Sequence, residues 1–93
     1  MGKFRVIVSQ TAIKDIARHR KSGNKASVNK IAVILKELEE HPYSGTGQPE
    51  QLKYNLSGLW SRRINQTDRL IYQVQENIIT VEVISALGHY SDK

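Results

Sequence analysis

Apolar and polar residues alternate from Lys3 and give way to the β-branched run Val6-Ile7-Val8, which predicts an opening strand over residues 3–8. Ser9 then stands where a helix cap belongs, because Ala12, Ile13, Ile16 and Ala17 recur behind it at helical spacing. Lys14, Arg18 and Lys21 share the outer face of that helix, and Ser22-Gly23-Asn24 ends it. A second helix runs from about Ala26, with Val28, Ile31, Leu35 and Leu38 at steps of three, four and three, until Pro42 stops it. Only a few residues join the two helices, so they are antiparallel neighbours. Their apolar stripes have the period of a core face, not of a cofactor site.

Between residues 41 and 57 the texture changes to Gly, Pro, Ser and Gln, which predicts a long loop of the kind that carries function. Residues 59–65, 69–75 and 78–87 then read as three strands joined by short polar turns, an antiparallel meander. Strand, helix, helix, then strands argues an α+β fold. The expected form is an antiparallel twisted sheet of about four to five strands with two antiparallel N-terminal helices on one face. The first strand is expected to return inside or beside the meander.

At 93 residues the chain has room for one domain, spanning 1–93. No stretch approaches the ~18 apolar residues of a membrane span, and the apolar start before Ser9 is too short for a secretory signal. Cysteine is absent, which removes disulfides, thiolate catalysis and cysteine-ligated zinc. These features suggest a cytoplasmic protein. The net charge of +5 is uneven: residues 1–25 carry seven Lys/Arg against one acid, residues 26–50 two against four. Such a basic surplus suggests a polyanionic partner such as nucleic acid, or simply a solvated cationic helix.

His19, His41 and His89 have no mutual spacing that a zinc site uses, and no metal or other cofactor is implied. Gly45-Thr46-Gly47 lacks the Lys-Ser/Thr of a phosphate loop, and no serine sits in a nucleophile elbow. What remains is a polar set at predicted strand ends: Glu50 and Lys53 in the loop, Arg62 and Arg63 in one strand, Arg69 opening the next, and His89-Tyr90 after the last. One carboxylate, several cations, one imidazole and one phenol suffice to cleave RNA without a metal, because the RNA 2′-hydroxyl supplies the nucleophile. A solvated sheet face with a stray C-terminal histidine would carry the same residues. Arg62 alternates with Trp60 and Ile64 and reads as structural, Trp60 and Tyr72 as packing residues, His19 and His41 as solvated.

Residues 41–74 carry an ordered set of landmarks: Pro42, Gly45, Gly47, Pro49-Glu50, Leu52-Lys53, Asn55-Leu56-Ser57-Gly58, Trp60-Ser61-Arg62-Arg63-Ile64 and Arg69-Leu70-Ile71-Tyr72, followed later by His89-Tyr90. This pattern closely resembles the YoeB (Txe) toxins of bacterial toxin–antitoxin systems, in the RelE/ParE superfamily. The resemblance implies a RelE/microbial-RNase-like fold and ribosome-dependent cleavage of messenger RNA in the decoding site of the bacterial (70S) ribosome. Carried over residue by residue, Glu50 resembles the general base and His89 the general acid. Arg69 matches the cation facing the phosphorane, Tyr90 the residue that positions the substrate, and Lys53 and Arg63 supporting substrate contacts. The products would be 2′,3′-cyclic phosphate and 5′-hydroxyl ends.

The resemblance also implies a DNA-binding antitoxin of the YefM/Axe type that neutralises the toxin, and it allows a homodimer. The chain departs from the pattern in three places. Leu87-Gly88 stand where relatives often have Arg-Tyr, Thr67 stands where they often have Glu, and Ser91-Asp92-Lys93 follow Tyr90. Two other readings share the fold: a binding toxin like ParE, which acts on gyrase, and a weakened toxin kept for autoregulation with its antitoxin.

Overall fold

The computed structural model describes residues 3–53 and 58–88. His89 and Tyr90 lie outside the described residues, as do Asn55, Leu56 and Ser57 of the family pattern. Strand β1 (Arg5–Val8) leads into helix α1 (Gln10–Lys21) through the Ser9 cap, whose hydroxyl accepts the Ala12 amide. Arg18, Arg20 and Lys21 crowd the last turn, where cations complement the exposed carbonyls of a helix end. Helix α2 (Lys25–Leu38) is capped by Asn24, which accepts the Ser27 amide. Strands β2 (Glu50–Gln51), β3 (Leu59–Arg63), β4 (Arg69–Gln75) and β5 (Thr80–Ser85) complete the fold, with a short 3₁₀ turn (Glu76–Ile78) before β5.

The five strands form one sheet in the order β1-β5-β4-β3-β2. The meander is antiparallel as expected, but β1 runs parallel to β5, so the sheet is mixed. Residue alternation reports which face a side chain takes and is silent on strand direction. The direction follows from topology: β1 fills the edge beside the last strand, not beside a sequence neighbour. A second difference concerns residues 41–57, where Glu50–Gln51 pair with Trp60 and Ser61 and make the opposite edge.

Ile31, Ile34 and Leu38 of α2 and Ala12 of α1 pack onto Leu70, Tyr72, Val81 and Val83 of the sheet. Each fully buried aliphatic side chain contributes about 1.5–3 kcal/mol. Ile13 is 53% exposed, so the buried stripe of α1 is narrower than its apolar residues suggest. His19 corrects a second expectation. It is buried on that same stripe, one heptad after Ala12, with Nε2 2.7 Å from the Ala86 carbonyl. No described helix is long and apolar enough to cross a membrane.

Candidate active site

The helix-free face of the sheet collects most of the polar set. Glu50 pairs with Ser61, Ser61 with Ile71, and Arg63 with Arg69, and directly opposed residues share a face. Arg69 Nη1 lies 3.4 Å from Glu50 Oε1 and 3.3 Å from Ser61 Oγ. At these lengths the contacts orient charge more than they form tight hydrogen bonds. Glu50 is exposed and Arg69 about one-third exposed, so both can reach a ligand.

Two arginines directly opposite each other on neighbouring strands repel. Glu50 offsets only one of the two charges, so Arg63 and Arg69 together make a surface that favours an incoming anion. Arg63 is exposed on this face, and Lys53 is exposed two residues beyond β2. Ser61 was not singled out from the sequence; its place beside Arg69 follows from strand register alone.

Arg62, one residue away, points through the sheet to the other side. It is fully buried and serves the loop that delivers Glu50. Its Nη1 donates to Glu37 Oε1 at 2.7 Å and to the Thr46 carbonyl, and its Nη2 donates to the His41 and Ser44 carbonyls. Its Nε donates to the Tyr72 hydroxyl, which donates in turn to the Pro42 carbonyl at 2.7 Å. Burial raises the Tyr72 phenol above its ordinary pKa, with Arg62 pulling the other way, so it remains a neutral donor. Gly47 closes the loop against β3: its carbonyl accepts the Arg63 amide at 2.7 Å, and its φ is +88°. A Cβ there would lie 2.8 Å from the Arg63 carbonyl, so the chain can approach β3 this closely only with glycine. The structural reading of Arg62 and the packing reading of Tyr72 and Trp60 are borne out. Trp60 is half-buried against the Tyr43 ring, with centroids 5.1 Å apart. His41 is exposed, as expected.

Two carboxylates brace this frame. Burial would raise the Glu37 pKa, but the Thr46 hydroxyl and amide and the Arg62 guanidinium outweigh it and hold the group below its ordinary 4.5. Burial would likewise raise Asp68, but the Gly88 amide, the Asn65 side chain, His19 and Thr67 hold it below its ordinary 3.8. A carboxylate with a depressed native pKa stabilises the fold above its unfolded pKa, and that contribution disappears as pH falls through the native value. The melting temperature is therefore expected to stay level from pH 7 to about pH 5.5 and to fall below that. Glu37→Gln should lower it at pH 7 and flatten the acid decline. A melting temperature that rises on acidification to pH 4 would contradict this assignment.

Among the described residues, no group of three or more His, Asp or Glu gathers as a metal site.

The family model for YoeB-like toxins of bacterial type II toxin–antitoxin systems matches residues 8–90. Toxin YoeB of Escherichia coli O6:H1 is 45% identical over 58 residues, which cover 62% of this chain and 69% of that protein. A YoeB dimer from Staphylococcus aureus superposes with a TM-score of 0.79 at 34% identity, covering 95% of this chain and 99% of that one. A YoeB–YefM complex from the same organism superposes with a TM-score of 0.76 at 36% identity, covering 94% of this chain and 98% of that one. The likeness in fold covers nearly the whole chain, and the family match spans the landmarks of residues 41–74. The chain belongs to the YoeB-like toxins of bacterial type II toxin–antitoxin systems.

Proposed function

We propose that this toxin is a ribosome-dependent messenger RNA endoribonuclease. The observation that carries the reading is the register of β3 and β4, with Arg69 opposite Arg63 and its guanidinium 3.4 Å from the Glu50 carboxylate. In the proposed reaction Glu50 accepts the proton of the 2′-hydroxyl, and the 2′-oxygen attacks the adjacent phosphorus. The bond to the 5′-oxygen breaks, and His89 protonates the departing oxygen. Arg69 faces the negative charge that builds on the phosphorane, where a preorganised cation lowers the barrier most. Arg63 and Lys53 hold flanking phosphates, and Tyr90 positions the substrate. Attack by the substrate's own hydroxyl requires a base, an acid and charge stabilisation, and no cofactor enters this scheme.

The protein would act in the cytoplasm on messenger held in the decoding site of the 70S ribosome. A YefM-like, DNA-binding antitoxin would neutralise it by folding an acidic or amphipathic segment over the site. The YefM complex of the Staphylococcus aureus relative supports that partner, and the dimer supports self-association. The 6% aromatic residues give little surface on which to hold a free strand. Orientation by the decoding site can supply several kcal/mol of the missing barrier reduction. Ribosome-bound message is thus expected to be cut at least ~10²-fold faster than the same RNA free in solution. Equal rates on the two, measured in single-turnover assays, would overturn the ribosome-dependent reading.

A further inference from the structure

The chain reaches His89 through Gly88, and both backbone groups of Gly88 are held, one by the residue just before β4 and the other by its first residue. The Gly88 amide donates to Asp68 Oδ1 at 2.7 Å, and the Arg69 amide donates to the Gly88 carbonyl at 2.8 Å. Gly88 has a φ of +73°, so the chain turns sharply at this clamp. Asp68 is itself braced. Its Oδ2 accepts Asn65 Nδ2 at 3.0 Å, its amide donates to Asn65 Oδ1 at 2.8 Å, and its carbonyl accepts the Ile64 amide at 2.9 Å. Asn65 Nδ2 also donates to Ser27 Oγ on α2 at 2.8 Å. Two residues upstream, the Ala86 amide donates to Asp15 Oδ2 at 3.0 Å and the Ala86 carbonyl lies 2.7 Å from His19 Nε2. The segment from Ala86 to Gly88 is therefore fastened to α1 at one end and to the 64–69 turn at the other.

We propose that Asp68 is a positioning residue for catalysis: by fixing the Gly88 amide beside Arg69, it sets where the chain departs toward His89 relative to the Arg69 guanidinium. The inference rests on the proposed role of His89 as general acid. One peptide link separates the clamped carbonyl of Gly88 from His89, so the clamp fixes the point from which the chain continues to that residue. Misplacing a reacting group by about 1 Å can cost about 10²-fold in rate without loss of binding. The Asp68 carboxylate has no task in the chemistry itself. A neutral amide in its place still offers an oxygen to the Gly88 amide, and that makes the role separable from charge.

The test is single-turnover cleavage on programmed ribosomes by the full chain, with thermal melting beside it. Asp68→Ala is expected to lower the saturating rate by about 10–10²-fold while the half-saturating ribosome concentration moves less than about threefold. Asp68→Asn is expected to recover most of the rate. In a His89→Ala background, Asp68→Ala should add little, because the two substitutions remove one function. If Asp68→Ala does not fold, Asp68→Ser, whose hydroxyl is too short for Gly88, takes its place with the same expectation.

The proposal is overturned if His89→Ala is impaired while Asp68→Ala keeps the parental rate, or if the two losses multiply in full. If His89→Ala itself cleaves like the parent, the assignment of the general acid fails, and this inference fails with it.

Discussion

Arg69→Ala is expected to lower single-turnover cleavage on programmed ribosomes by about 10³-fold, with ribosome binding nearly unchanged. Removing one preorganised donor from developing charge typically costs 10²–10³-fold, and here the loss also removes the cation that orients Glu50 across 3.4 Å. Glu50→Ala should fall in the 10²–10⁴-fold range of a general base. Lys53→Ala should behave differently. It is exposed beyond the end of β2, so as a phosphate-positioning cation its loss should weaken binding, most visibly as salt rises, and leave the saturating rate close to parental. A parental rate for Arg69→Ala would remove the electrostatic core of the proposed mechanism.

Arg62→Ala is expected to destabilise the protein by about 3–5 kcal/mol, the usual cost of breaking a buried ion pair from one side. The substitution removes the cation from Glu37, which keeps only its two Thr46 donors, and deprives the His41, Ser44 and Thr46 carbonyls of their guanidinium donor. In a domain this small that loss corresponds to a fall in melting temperature of more than about 10 °C. Arg62→Lys should rescue little, since one ammonium cannot reproduce the planar fork that serves Glu37, three carbonyls and Tyr72. Any folded fraction should also cleave slowly, because the loop ahead of Glu50 loses its anchor. A variant that melts like the parent would show that the network contributes nothing net.

Most elements were legible because the buried face imprints its period on the sequence. β4 has the expected bounds, and Ser9 caps α1 because its hydroxyl can satisfy a free amide that Val8 could not. β2 was not legible: two exposed residues carry no alternation, and only their pairing with β3 makes them a strand. His19 had a signal, its place one heptad after Ala12, but a histidine among basic residues reads as solvated until Ala86 supplies the partner. Glu50 and Arg69 could be named from the landmark pattern, whereas their convergence depends on register across three strands. Asp68 stayed hidden because its partner Gly88 lies twenty residues away.

The central claim, cleavage by the message's own 2′-hydroxyl, is tested most directly by the chemistry of the ends produced in an in vitro translation reaction. Primer extension locates the cuts, and enzymatic end-labelling then reads the termini on each side. The account predicts cuts within codons held in the decoding site, each leaving a 2′,3′-cyclic phosphate upstream and a 5′-hydroxyl downstream. Cuts that leave a 5′-phosphate and a free 3′-hydroxyl, the products of attack by water on the opposite bond, would contradict it.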